Sequence, residues 1–300
     1  MNMKNQLLIC ALGMIFAAGG IAEDAKVRTP VFPTDIRVEP AVKFLPEGRK
    51  QRADLYFPSP MPAGKKLPAV VWIHGGGWIT GHRDDKREIN VCSTLARNGY
   101  VAMSIEYVLS DRKQAVWPTN LWDCKNAVRW LRKHAEKLGV DPDRIAVAGG
   151  SAGGHLASMV ALTTPADGLD PAKPYGNIPC DVKCCVDFYG IADIGTYHDV
   201  TMLGKTFAEA PELYRAASPV TYVRSNSVPF LIFHGTADPT VNLKQSELFD
   251  EVLRRAGVEH QLVVIPEAVH SFDLQPPQRD LRPVFLKFLD DHLKSVSPGR

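Results

Sequence analysis

Continuous apolar runs alternate along the chain with amphipathic stretches, and this alternation predicts the secondary structure. Runs rich in β-branched residues and bounded by turn residues predict buried strands. These runs are 67–73, 100–107, 144–150, 182–189, 229–235 and 261–266. Segment 52–58 alternates polar and apolar residues, which predicts an antiparallel edge strand. The lead over 30–40 is rich in proline, and we expect it to lie on the surface.

Helical periodicity separates the predicted strands. In 119–138 the apolar residues recur every three or four positions, which predicts one helix. Further helices are predicted from Ala152 onward, over 242–257 with Asn242 as the cap, and over about 278–294. Strands that alternate with helices in this way predict an α/β fold. Its central sheet would be mostly parallel, with helices on both faces.

The first residues have the features of an export signal. Lys4 precedes an apolar run, 7–22, which ends in small residues and is too short for a membrane span. We therefore predict a signal peptide over 1–22 and an exported protein, periplasmic or extracellular, with no stable membrane insertion after cleavage. Cleavage slightly earlier and an uncleaved anchor are the alternatives. The remaining chain divides into an N-terminal lead, 23–44, and one domain, 45–295.

Composition excludes several classes of partner. The formal net charge is +2 with acidic and basic residues interspersed, so neither nucleic acid nor an anionic membrane surface is expected as a partner. Removal of the signal would leave five cysteines, and an odd number leaves at least one thiol unpaired. They are Cys92, Cys124, Cys180, Cys184 and Cys185. Burial as small apolar side chains is favoured over a disulfide framework. No zinc spacing or phosphate-binding loop occurs, so no metal or cofactor is predicted.

Four predicted strands are followed by loops that carry reactive side chains or many glycines. Ligands of parallel sheets bind beyond the carboxyl ends of the strands, so these loops are expected to meet at one site. The four loops are HGGGW at 74–78, GGSAGG at 149–154, HGTAD at 234–238 and EAVHSF at 267–272. Together they are far more specific than any one of them.

Ser151 is the candidate nucleophile. The pattern Gly149-x-Ser151-x-Gly153 between a strand and a helix is typical of a nucleophile elbow. The residues two before and two after such a serine must be small, because their Cβ atoms would otherwise collide. The alternative for Ser151 is an N-cap of the following helix.

A serine hydroxyl needs a general base, and His270 is the candidate. Asp238 is the predicted acid that orients this histidine, and Asp193 is the alternative. His155 is expected to serve packing or support rather than catalysis.

The glycine loop, 74–78, offers backbone amides for an oxyanion, as does the amide of Ala152 after the serine. His74 is expected to anchor this loop rather than act as a base. Trp78 is a candidate wall of the acyl pocket, and the alternative is that it only packs.

These four motifs resemble an α/β-hydrolase esterase of the hormone-sensitive-lipase-like and acetyl esterase type. The sequence is most similar to the bifunctional feruloyl and acetyl-xylan esterase (BD-FAE-like) domain, over roughly 45–295. The resemblance implies the α/β-hydrolase fold and a catalytic triad of Ser151, Asp238 and His270. It also implies an oxyanion hole formed by Gly76, Gly77 and Ala152, with Gly75 as a further candidate.

The sequence departs from the family pattern at Val108, where many relatives carry an arginine after the tyrosine. The chain before the glycine loop is short, so we expect no large cap domain. Residues 195–227 are the candidate lid or pocket wall.

The function that this resemblance implies is secreted serine carboxylic ester hydrolysis through an acyl-serine. Its substrate would carry acetyl or feruloyl groups, on polysaccharide or on related small esters. An amidase, formamidase or small peptidase of the same fold is one alternative, and a non-catalytic binding protein is another. The sequence leaves the acyl chain, the alcohol and the oligomeric state open.

Overall fold

The fold was analysed in a computed structural model, which describes residues 29–111, 113–197 and 200–294. The predicted signal peptide, 1–22, lies outside the described residues. The chain divides into a short unit, Met1–Val31, and a large unit, Phe32–Arg300. The large unit contains every strand and helix reported below.

Eight strands form a single sheet in the order β1-β2-β4-β3-β5-β6-β7-β8. The strands are β1 Arg37–Val42, β2 Ala53–Phe57, β3 Leu67–Ile73, β4 Val101–Ile105, β5 Val140–Gly150, β6 Cys185–Phe188, β7 Phe230–Gly235 and β8 His260–Ile265. Strand β2 is antiparallel to both β1 and β4, and all other neighbours are parallel. The prediction of a mostly parallel sheet is confirmed.

Helices cover both faces of this sheet, as predicted. They are α1 Lys86–Arg97, α2 Thr119–Lys133, α3 Ala135–Leu138, α4 Ala152–Leu162, α5 Pro211–Ala216, α6 Lys244–Arg255 and α7 Arg282–Leu293. Helices α2, α4 and α6 contribute to the core on one face, and α1 and α7 to the core on the other. Successive residues of β3 alternate between the two cores, with Val71 facing one and Trp72 the other. Both faces are therefore buried, which explains the continuous apolar runs.

The N-terminal part of the sheet differs from the prediction. Strand β1 lies within the segment predicted as a surface lead, so the sheet begins before residue 45. Because β1 pairs outside β2, segment 52–58 is antiparallel as predicted but does not form the edge. Its polar residue Asp54 is fully buried, where it accepts hydrogen bonds from Arg83 Nε and from the amide of Ala41, both at 2.8 Å. These hydrogen-bond partners lie far from Asp54 in sequence. The alternation of polar and apolar residues in β2 therefore wrongly predicted that its polar residues would be exposed.

Two helices also depart from the predicted pattern. The predicted helix 119–138 is divided at His134 into α2 and α3. Helix α1 was not predicted at all, and it packs against β4 in the second core. Between β6 and β7, the described residues form α5 and short 3-10 turns, with no large cap domain.

The five cysteines predicted to remain after cleavage are all buried with free thiols. No helix in the described ranges combines the length and the apolar character that crossing a bilayer requires.

Candidate active site

Ser151 lies between the end of β5 and the start of α4, at φ 57° and ψ −121°. This left-handed conformation is strained for a residue with a Cβ, and such strain clusters at functional sites. The amide of Ser151 donates to Phe188 O of β6 at 2.8 Å, which fixes the turn to the sheet. The side chain makes no capping hydrogen bond to α4. Ser151 therefore occupies the N-cap position of α4, but its hydroxyl does not cap the helix.

The glycines around Ser151 are required by close packing. A Cβ on Gly153 would lie 2.0 Å from Ile73 O at the end of β3, and one on Gly149 would lie 2.4 Å from Gly153 O. Either contact is far inside van der Waals distance, so a side chain there would force the strand and helix apart. This geometry explains the run of small residues that the sequence places around the serine.

His270 joins Ser151 to Asp238. Its Nδ1 lies 2.6 Å from Asp238 Oδ2, and its Nε2 lies 2.9 Å from Ser151 Oγ. A carboxylate only accepts, so Nδ1 is the donor and the neutral ring leaves Nε2 to accept the serine proton. The three residues lie on the loops after β5, β7 and β8, which meet at the carboxyl end of the sheet.

The carboxylate of Asp238 is held firmly. Its side chain is fully buried, and Oδ1 accepts hydrogen bonds from the amides of Thr240 at 2.8 Å and Val241 at 2.9 Å. His234, also buried, lies with Nε2 3.4 Å from Asp238 Oδ2. Asp193, the alternative acid, instead accepts from the amide of Gly195 at 2.9 Å. The structure thus brings Asp238, and not Asp193, to His270.

The glycine loop lies against the elbow. A Cβ on Gly75 would be 3.3 Å from Ser151 Cβ, and Gly76 and Gly77 have positive φ angles of 108° and 60°. At Gly76 a Cβ would lie 2.2 Å from Thr80 O, so this position admits only glycine. In the part of the chain that the structure describes, the amides of Gly76, Gly77 and Ala152 donate to no protein acceptor. All three amides therefore retain their capacity to bind an oxyanion.

Trp78 and His155 connect the glycine loop to α4, the elbow helix that follows Ser151. The Trp78 indole donates to His155 Nδ1 at 3.2 Å, which leaves His155 Nε2 to donate to Ala217 O at 2.7 Å. Burial lowers the pKa of His155 to about 4, so this ring is neutral near pH 7. Trp78 is 5% exposed, so its contacts are mainly with the protein interior.

His74 anchors the glycine loop, as the sequence indicated. Its Nδ1 lies 2.7 Å from Gly75 O, and its ring stacks on Tyr107, whose hydroxyl donates to His74 O at 3.1 Å. Burial lowers the pKa of His74 to about 4. It lies apart from the Ser151–His270 hydrogen bond and is not a second base.

The sequence did not predict three residues near the site, of which Tyr189 and Asp187 are buried and Arg87 is partly buried. Tyr189 contacts His270, Arg87 lies beside Gly75, and Asp187 lies under the elbow helix. The only local signal was for Asp187, a carboxyl inside the apolar run 182–189. Within the described ranges, no cluster of three or more histidine, cysteine or acidic side chains is arranged to hold a metal.

The strand order, the serine in its elbow after β5, and its partners after β7 and β8 define the α/β-hydrolase fold with a Ser-His-Asp arrangement. A family model described as BD-FAE matches residues 53–253, which is more than half of the chain. The chain belongs to this family.

Proteins named as esterases are similar to this chain in sequence. Esterase LipQ of Mycobacterium tuberculosis is 32% identical over 245 residues, which are 78% of this chain and 57% of LipQ. The chain spans 54% to 57% of the length of this and two further mycobacterial relatives.

Solved structures show the same fold. Native esterase 2 of Thermogutta terrifontis has a TM-score of 0.74 at 27% identity, covering 93% of this chain and 100% of that chain. The same esterase has been solved phosphorylated by paraoxon. An acetyl ester-xyloside bifunctional hydrolase from Caldicellulosiruptor lactoaceticus has a TM-score of 0.69 at 26% identity, covering 81% of this chain and 89% of that chain.

Proposed function

We propose that the protein is a serine carboxylic ester hydrolase. The proposal rests on the hydrogen-bonded series of Ser151 Oγ, His270 and Asp238, with contacts of 2.9 and 2.6 Å. In the first half-reaction, His270 Nε2 takes the proton of Ser151 while Oγ attacks the ester carbonyl. The tetrahedral intermediate collapses, and the leaving alcohol takes that proton from the imidazolium. The products of this half-reaction are an acyl-serine and a free alcohol.

Water completes the cycle by the same route. His270 takes a proton from a water molecule, whose oxygen attacks the acyl carbonyl, and it then returns the proton to Ser151 Oγ as the acid departs. Asp238 remains ionised and holds the imidazolium. In both halves the negative oxygen would accept hydrogen bonds from the amides of Gly76, Gly77 and Ala152. Their positions on rigid turns mean that little reorganisation is needed as charge develops.

We further propose export of the protein and removal of acetyl or feruloyl groups from polysaccharide. Support comes from the apolar run behind Lys4, from membership of the BD-FAE family, and from the similarity to a hydrolase of acetyl ester and xyloside. Between β6 and β7 the described chain carries only one short helix and 3-10 turns. A cleft without a large cap would admit an ester on a bulky carrier.

The first test compares residues 23–300 with the variant Ser151→Ala. The substrates are 4-nitrophenyl acetate, butyrate and octanoate, methyl ferulate and acetylated xylan. Loss of the nucleophile should reduce kcat by about 10³-fold or more, because His270 and Asp238 act only through it. Ser93→Ala is the matched control, since Ser93 is also buried and its hydroxyl has no described hydrogen-bond partner. It should retain wild-type activity.

The outcomes separate class from substrate. Serine-dependent release of acetate from xylan supports the polysaccharide proposal. Cleavage of nitrophenyl esters alone supports esterase activity and rejects polysaccharide as the substrate. An inert wild type, or equal activity of Ser151→Ala, rejects the serine esterase, and amide substrates would then be assayed.

A further inference from the structure

One buried side chain, Tyr189, and one partly buried side chain, Arg87, lie behind the triad without belonging to it. Tyr189 follows β6, is 0% exposed and has a positive φ of 44°. Its amide donates to Phe233 O of β7 at 2.7 Å, so the backbone of two strands holds this conformation. Positive φ is costly for an aromatic residue, which suggests that the position of the side chain matters.

Tyr189 contacts the histidine loop, 267–275, in two ways. Its ring centroid lies 4.8 Å from that of His270, at an interplanar angle of 60°. Its hydroxyl donates to Phe272 O at 2.6 Å, two residues beyond the histidine. One side chain thus supports both the imidazole and the backbone that carries it.

Arg87, on α1, fixes Tyr189 in turn. Its Nη1 donates to the Tyr189 hydroxyl at 3.2 Å, while Nε and Nη2 donate to Glu88 Oε1 at 3.0 and 2.8 Å. The guanidinium also lies beside the glycine loop, because a Cβ on Gly75 would be 3.3 Å from both Arg87 Nη2 and Ser151 Cβ. Arg87 therefore lies where the nucleophile, the glycine loop and the support of the histidine meet.

A second contact from α1 holds the far end of the histidine loop. Asn90 Nδ2 donates to Asp273 Oδ2 at 2.9 Å. Arg87 and Asn90 lie one turn apart on α1. Asn90 thus binds the loop directly at Asp273, and Arg87 acts on Phe272 O only through the Tyr189 hydroxyl. The histidine loop follows the edge strand β8, so it has no strand beyond it for support.

We propose that Arg87 and Tyr189 are positioning residues for ester hydrolysis. They hold His270 in register with Ser151 and with the glycine loop, without touching the substrate. The inference rests on the proposed function. Its physical basis is that a displacement of about 1 Å in a reacting group can cost about 100-fold in rate.

The primary test is Tyr189→Phe, assayed with 4-nitrophenyl acetate well below the melting temperature. The variant keeps the ring against His270 and loses only the hydroxyl that holds Phe272 O and accepts from Arg87. We expect kcat to fall about 10-fold or more, while KM stays within about twofold of wild type. Tyr175→Phe is the matched control, because it also loses a hydroxyl that donates to a carbonyl, Phe44 O at 3.0 Å. It should keep wild-type kcat.

The second test concerns Arg87. Arg87→Gln should lower kcat to a similar extent, and Arg87→Lys, which still offers a charged donor, should restore part of the loss. The double variant with Tyr189→Phe should be little worse than either single variant, because both substitutions break the same connection.

The results distinguish this inference from the proposed function. If the wild type is active and Tyr189→Phe keeps wild-type kcat, the positioning role is wrong and the esterase stands. If the wild type is inert, the proposed function itself fails. If Tyr189→Phe does not fold, the test uses three other variants: Arg87→Lys, Arg87→Gln and Asn90→Ala. Unchanged kcat in all three overturns the inference.

Discussion

Asp187 shows how a single buried residue can influence stability near neutral pH. It lies in β6, 2% exposed, and its Oδ1 accepts from the amide of Gly190 at 2.8 Å. A Cβ on Gly154 would lie 2.2 Å from this oxygen, so the carboxyl is in close contact with the elbow helix. Burial raises the pKa of Asp187 to about 7 from its usual value near 4. The folded protein therefore prefers this carboxyl in its protonated form.

The sign of the resulting pH dependence can be tested with Asp187→Asn. Because the folded pKa exceeds the unfolded one, the carboxyl favours folding at low pH and loses this contribution as pH rises through about 7. Asparagine keeps the acceptor for Gly190 and cannot ionise. The stability of the variant relative to wild type should therefore increase between pH 5 and pH 8, by on the order of 1–3 kcal/mol. Urea unfolding at both values measures the difference, and parallel pH curves would contradict the assignment.

At the scale of single residues, the sequence predicts local chemistry well. Ser151 and its glycines were predictable because an elbow imposes steric requirements on adjacent positions. His270 and Asp238 were predictable because each follows a recognisable strand. Tyr189 and Arg87 were not, since they meet only in the folded sheet, 102 positions apart in sequence.

Helix α2 carries buried cations that depend on one carboxylate. Lys125 and Arg129 lie on successive turns, 0% and 3% exposed, and both form ion pairs with Asp170 in the loop after α4. Lys125 Nζ also donates to Thr163 O at 3.3 Å, and Arg129 Nη1 donates to Pro171 O. The helix thus binds the 163–171 segment mainly through charge-assisted hydrogen bonds.

Removal of the shared carboxylate should destabilise the protein strongly. Asp170→Ala leaves two buried cations without a counter-charge, which is expected to lower the free energy of unfolding by about 3–5 kcal/mol. Asp181→Ala is a suitable control in the same loop, because Asp181 is 72% exposed and lies 3.9 Å from Arg132. Its urea midpoint should match that of wild type. A similar loss of stability in both variants would show that the ion pairs of Asp170 are not the cause of the effect.

At the scale of elements, prediction succeeded where both sides of a strand are buried. Strands β3 and β7 are continuous apolar runs for that reason. Strand β1 contains a proline and two charged residues, as an edge strand tolerates, so its pattern resembles a loop. Helix α1 opens with charged residues and continues through Cys92, Ser93 and Thr94, which have modest helix propensity. Packing against β4, rather than local preference, explains this helix.

At the scale of the whole molecule, the described residues are stabilised without disulfides, although they carry five thiols. The five described cysteines are buried and free, and burial raises the pKa of the Cys92, Cys124 and Cys185 thiols. A thiol with a raised pKa that is shielded from solvent reacts slowly with oxidants and disulfides. The fold is therefore compatible with an oxidising compartment, although its described cysteines form no disulfide bonds.

Thiol titration of residues 23–300 tests this directly. Native protein should react slowly with Ellman's reagent. Urea-unfolded protein should react with five equivalents of the reagent, one for each buried cysteine. Reductant should leave the melting temperature unchanged. A lower melting temperature in reductant, or fewer thiols after unfolding, would reveal a disulfide.

The parts of the candidate site come from widely separated positions, in the order Ser151, Asp238, His270. Synthesis is vectorial, so the serine leaves the ribosome long before the histidine that would activate it. His270 follows β8, the last strand to be made and the one at the sheet edge. Under the proposed function, Ser151 would therefore remain unreactive in the nascent chain until β8 joins the sheet and brings His270 to it.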